Sequence, residues 1–159
     1  MQISIIIANY NKEKYIEKLM NSIFCNRFRN FEVIFVDDSS NDRSVEIAKK
    51  YPIQILQNAT NIGPAASRNK GAQLAKGEIF LFLDSDVEIA SNALEKFANW
   101  FQHKEVAAVS ANLKLPSLSE NFLGSYCTLD LMEVLSWCGV SQGPLNFWTS
   151  TAGAIRRDV

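Results

Sequence analysis

The alternation of short β-branched and aromatic runs with longer stretches of helical spacing constrains this chain more than any other feature. "ISIII" (3–7), "FEVIFV" (31–36), "IQILQ" (53–57) and "EIFLFLD" (78–84) read as strands. Between the first two, Tyr15, Ile16, Leu19, Met20, Ile23 and Phe24 recur at helical spacing and form one apolar stripe. Strand, helix and strand in that order predict a βαβ unit, and its repetition predicts a mostly parallel sheet with crossover helices. "RSVEIAKKY" predicts a short helix stopped by Pro52, and a further helix is expected from Ala65 to Lys76, closed by Gly77 as a left-handed cap. The continuous apolar run of "EIFLFLD" predicts a strand buried on both faces at the centre of the sheet. A last clear helix, "SNALEKFANWF", places Leu94, Phe97, Ala98 and Phe101 on one face, and "EVAAVSANL" follows as a strand. From Pro116 onward no period is clear, apart from a helix expected over "LDLMEVLSW".

A chain of 159 residues, 47% hydrophobic and 21% charged, holds enough apolar material for one globular core. Its 16 basic and 17 acidic residues are interspersed, so no block of charge marks a nucleic-acid arm or a polybasic membrane anchor. Cys25, Cys127 and Cys138 are odd in number and widely spaced. Neither a disulfide framework nor a C-x-x-C metal knuckle is suggested, and a reducing compartment, the cytoplasm, is expected. The N-terminal apolar run lacks a positive flank and is too short to span a bilayer. The chain stops at "AIRRDV" without a turn or cap, as expected of a piece of something longer.

In an open α/β sheet, ligands bind beyond the carboxyl ends of the strands, where loops converge and helix N-termini point into a crevice. "ANYN", "DDSSND" and "DSD" all fall at such ends. Asp84 and Asp86 are two apart, so in strand geometry both leave one face while Ser85 points the other way. Two converging carboxylates suit Mg²⁺ or Mn²⁺, with coordination completed by water and nucleotide phosphates; the other reading is that they cap the following turn. Asp37 and Asp38 are adjacent and diverge, so one can face the crevice and accept a hydrogen bond from a ribose or base, with Asp38 chosen for the base. The alternative is an Asx-turn into the next helix. Arg68, early in the helix after Gly63 and Pro64, could reach a diphosphate or a base carbonyl, or lie solvated.

Other chemistries lack their parts. There is no G-x-x-x-x-G-K-[ST] loop, no G-x-G-x-x-G after the first strand and no G-x-S-x-G elbow. His103, the single histidine, lies in the polar stretch "FQHKE" and reads as solvated.

Taken in order, "SIIIANYN", "VDDSSND", "NIGPAASRNKG" and "FLDSD" resemble the N-terminal nucleotide-sugar-binding half of family 2 glycosyltransferases. The resemblance implies a GT-A, Rossmann-like three-layer α/β fold, C-terminally incomplete. Residues 1–115 would form the nucleotide-sugar-binding core, and 116–159 the start of the acceptor-side region of the same domain. It implies that Ala8 to Tyr10 and Asp38 hold base and ribose, with Asp37 beside them, and that Arg68 contacts the nucleotide. Asp84, Ser85 and Asp86 would be the DXD motif, with Asp84 and Asp86 on Mn²⁺ or Mg²⁺.

The implied activity is metal-dependent, inverting hexosyl transfer (EC 2.4) from a UDP-sugar to a carbohydrate or lipid-linked acceptor, in polysaccharide biosynthesis. Nucleic acid is not an expected partner, and membrane association is expected only through downstream sequence. Inverting members carry a carboxylate base after a segment like "TAGAIRRDV", which leads toward the acceptor side, so the base is expected beyond Val159. By itself the chain would then bind the donor with little transfer. Two rival classes are a nucleotide-binding module without turnover and an interaction domain whose acids only cap turns.

Overall fold

The computed structural model describes residues 1–111, 113–114, 127–129 and 152–158. Strand β1 (Ile3–Asn9) is the most buried segment, because each isoleucine of "ISIII" meets a packed layer on whichever face it points to. It pairs in parallel with β2 (Phe31–Asp37) and with β4 (Ile79–Asp84), Ile5 lying between Val33 and Leu81. Strand β3 (Gln54–Gln57) extends the sheet beyond β2. The register brings Asn9, Asp37 and Asp84 to the same end of three adjacent strands.

Helices cover both faces, giving three layers. Helix α1 (Glu13–Phe24) buries Ile16, Leu19, Met20 and Ile23 completely, at about 1.5–3 kcal/mol for each large side chain removed from water. Together with α2 (Ser44–Ala48) and α4 (Ala93–Trp100), it packs on the face bearing Ile3, Ile5, Ile7, Val33 and Phe35. Leu94, Phe97, Ala98 and Phe101 all point inward, as the spacing predicts. Helix α3 (Pro64–Leu74) lies on the opposite face against Ile6, Ile34 and Val36. Strand β4 is interior, but its faces differ. Ile79, Leu81 and Leu83 are fully buried, whereas Phe80 and Phe82 are half-buried on the α3 side.

One sequence expectation needs correction. Helix α3 ends at Leu74 with Ala75 already extended, and Gly77 is not a left-handed cap. What glycine supplies there is space: a Cβ would lie 2.6 Å from Ser4 Oγ and 2.8 Å from the Gln2 carbonyl oxygen. Gly77 also donates its N–H to Ser4 Oγ (2.8 Å), tying the entry of β4 to β1.

Within "TAGAIRRDV", Ala152–Arg156 form β9, which runs antiparallel inside the main sheet, between β4 and β6 (Ala108–Ser110). The described part of this sheet has six strands in the order β3-β2-β1-β4-β9-β6. Arg156 fastens the insertion by donating to the carbonyls of Phe101 (2.6 Å), His103 (2.7 Å) and Val106 (2.8 Å), where the chain leaves α4.

A short second sheet joins β5 (Val87–Ile89), β7 (Leu113–Lys114) and β8 (Cys127–Leu129). Leu129 is therefore strand, and the remainder of the helix expected over 129–137 lies outside the described residues. Among the described residues, no helix is long and apolar enough to cross a membrane.

Candidate functional site

Each strand that ends at the crevice delivers a polar residue there. The loops that follow are tied to one another before any ligand is considered. Asn9, at the end of β1, donates to Asp37 Oδ1 (2.9 Å) and to Ser40 Oγ (3.1 Å). Asp37 also accepts the Ser40 N–H (3.0 Å) and hydroxyl. The first turn of α1 is capped from the neighbouring loop: Ser44 Oγ accepts the Lys12 N–H (3.1 Å) and Asp42 the Glu13 N–H (2.8 Å). Burial would raise the Asp42 carboxyl, but bonds from the Ser44 hydroxyl and the Glu13 and Ser44 N–H groups hold it below its ordinary value.

Asp38 is only 3% exposed. Oδ1 accepts from Asn58 Nδ2 (2.9 Å) and the Ile62 N–H (2.9 Å), and Oδ2 accepts from the Gly63 N–H (2.8 Å). Gly63 has φ of 89°, a left-handed conformation that lets its N–H turn back to Asp38 before α3 starts. Burial pushes the Asp38 carboxyl up, yet the donors from Ile62, Asn58, Gly63 and Ser67 together hold it below its ordinary value. Asn58 also donates to Ser67 Oγ (2.9 Å) and accepts from Lys70 Nζ (2.9 Å), so this carboxylate anchors the loop that launches α3.

Asp84 and Asp86 have a different setting. Asp84 accepts from Arg68 on α3, and Asp86 Oδ2 accepts from Lys12 Nζ at 2.7 Å. Ser85 between them is buried, but β4 ends at Asp84 and residues 85–86 form a turn, so strand alternation does not continue through the motif. The ion pair with Asp86 holds the Lys12 ammonium above its ordinary value, against the opposing effect of burial. Arg68 Nε is buried and has no hydrogen-bond partner among the described residues.

These groups surround a cleft of about 400 Å³. Ala8, Tyr10, Asp38, Arg68, Asp84, Ser85 and Asp86, all named from sequence, line it. Asp37 does not; its carboxylate lies behind the cleft wall, taken up by Asn9 and Ser40. Asn9, within the Ala8–Tyr10 stretch named from sequence, also lines the cleft, as do Lys12, Asn61 and Pro64, to which sequence reasoning gives no site role. Proximity to "ANYN" was the one local signal for Lys12; its partner, Asp86, is 74 positions away.

No group of three or more His, Cys, Asp or Glu gathers among the described residues, so within them the cleft offers a cation the pair Asp84 and Asp86. That donor set fits a hard divalent ion whose remaining ligands are water and phosphate oxygens. It does not fit a closed protein cage.

A mostly parallel sheet of this order, layered by helices and with a polar cleft at the strand ends, is the architecture of a GT-A domain. Residues 4–126 match the glycosyl transferase family 2 model, and the chain belongs to that family. An uncharacterized glycosyltransferase of Haemophilus influenzae is 36% identical over 139 residues, which are 84% of this chain and 56% of the relative. The poly(ribitol-phosphate) β-N-acetylglucosaminyltransferase TarS of Staphylococcus aureus is 37% identical over 118 residues, or 69% of this chain and 21% of TarS. The chain thus spans about half or less of the length of these relatives. The crystal structure of TarS 1–349 in complex with UDP superimposes with a TM-score of 0.68 at 36% identity, covering 72% of this chain and 36% of that one. A Pyrobaculum calidifontis mannosyltransferase, 24% identical over 71% of this chain and 36% of its own, shares the fold with a TM-score of 0.67.

Proposed function

We propose that the protein transfers a hexosyl group from a UDP-sugar to a hydroxyl of a carbohydrate or lipid-linked acceptor, and that the cleft is its donor site. The observation that carries this reading is the convergence of Arg68, Lys12, Asp84 and Asp86 with Asp38 and Tyr10 at the ends of β1, β2 and β4. TarS, whose matching region is 36% identical, has been crystallised with UDP and with UDP-GlcNAc, which supports a uridine nucleotide as the ligand.

In this reading Ala8, Tyr10 and the Asp38-anchored loop hold base and ribose, and the Arg68 guanidinium donates to the diphosphate. Asp86, with Asp84, would hold Mn²⁺ or Mg²⁺, which supplies charge neutralisation for the leaving diphosphate. An acceptor oxygen attacks the anomeric carbon as the bond from that carbon to the β-phosphate oxygen breaks, and the acceptor proton passes to a general base. Negative charge grows on the diphosphate in the transition state, so the Arg68 cation stabilises that state more than the ground state.

The test is calorimetric titration of UDP with and without Mn²⁺. The parent chain should bind more tightly with the metal, and Asp86→Asn should bind at the metal-free level in both conditions. Equal enhancement by Mn²⁺ in both proteins would refute the assignment of Asp86. Transfer from a labelled UDP-sugar separates an enzyme from a module that only binds.

A further inference from the structure

Asp84 and Asp86 are held by cations of unequal tenure. Arg68 projects from a helix packed on the sheet, and the Arg68 and Asp84 side chains are 20% and 28% exposed. Lys12 stands at the boundary between the first loop and α1, and the Lys12 and Asp86 side chains are 39% and 38% exposed. Its Nζ lies 5.6 Å from the centre of the Tyr15 ring and 2.7 Å from Asp86 Oδ2. The backbone of Lys12 is fixed by Ser44, but the ammonium rides on a flexible four-carbon stem. Half-exposed pairs of this kind are weak, so the ammonium is displaceable. A divalent ion on Asp86 would need the same oxygen lone pairs and would repel the ammonium beside it.

Resting on the donor-site reading above, we propose that Lys12 is the resident counter-ion of Asp86 and gates its metal. In the nucleotide-free protein Lys12 competes with the divalent ion for the carboxylate. The donor diphosphate, arriving in the cleft that Lys12 lines, offers the ammonium a new anionic partner and frees Asp86. Metal and nucleotide therefore bind as a coupled pair. Mn²⁺ alone binds poorly, and UDP tightens it by more than its own phosphate ligands contribute.

Titration of Mn²⁺, followed by the electron paramagnetic resonance signal of the free aqua ion, tests this in the nucleotide-free chain and at saturating UDP. Lys12→Met removes the charge and keeps much of the stem. It should raise the Mn²⁺ affinity of the nucleotide-free chain about three- to tenfold, and shrink the tightening caused by UDP by at least that factor. Lys12→Arg retains the charge and should restore the parent pattern. Circular dichroism melts establish that each variant is folded. If Lys12→Met binds UDP but leaves both Mn²⁺ affinities unchanged, the gate is refuted and Lys12 is an ordinary surface ion pair. If the parent binds no UDP at any Mn²⁺ concentration, the donor-site reading fails first, and the gate with it.

Discussion

Asp38 and Asp86 line the same cleft, but their surroundings give them opposite characters. Asp38 is buried, and its oxygens are occupied by the Asn58 amide and two backbone N–H groups of the loop before α3. The Asp86 side chain is more than a third exposed, and its hydrogen-bond partner among the described residues is the Lys12 ammonium. A carboxylate saturated by fixed neutral donors shapes its site, whereas one balanced by an exchangeable cation is available to bind. Asp38, expected from sequence to contact the base, also ties down the loop before α3 through the Asn58 amide and the Ile62 and Gly63 N–H groups.

The largest expected effect tests that division. Asp38→Ala leaves three donors without their acceptor and should cost about 3 kcal/mol of stability by urea denaturation, whereas Asp86→Ala should cost less than about 1 kcal/mol. Similar losses in the two variants would erase the distinction. Next in size, Arg68→Ala should weaken UDP binding by about 1.5–3 kcal/mol, the range for a hydrogen bond to a charged group. A change below about 0.5 kcal/mol would return Arg68 to the class of structural ion pairs.

The smallest effect is in acid. Burial works to raise Glu32 and Asp38, but each is held below its ordinary value, Glu32 by the Ser4 hydroxyl and the Lys76 and Gly77 N–H groups. Folded-state pKa values below the unfolded ones mean that the unfolded chain binds protons first. Their stabilisation is therefore complete above the ordinary values of 4.5 and 3.8 and fades as pH falls through the lower folded values. Thermal melts should show a steeper loss below about pH 4 for the parent than for Asp38→Asn.

What could be read from the sequence was what is locally periodic. The isoleucines of β1 and the stripes of α1 and α4 announce their faces because each contact they make follows from spacing alone. Gly77 was misread because close approach to Ser4 and Gln2 is a tertiary fact, invisible in a glycine that follows a helical run. Lys12 was passed over because an isolated lysine after a loop ordinarily points to water. Likewise "TAGAIRR" carries no sign that it runs antiparallel between two strands formed far earlier in the chain.

That late strand imposes an order of events on biosynthesis. Roughly 70 residues separate Asp84 from Ala152, so at about 5–20 residues per second β4 emerges from the ribosome several seconds before β9 exists to pair with it. During that interval the strand ending in Asp84 has β1 along one side and a bare row of amides and carbonyls along the other. Until β9 pairs there, that row is a template on which the same edge of another emerging copy could dock.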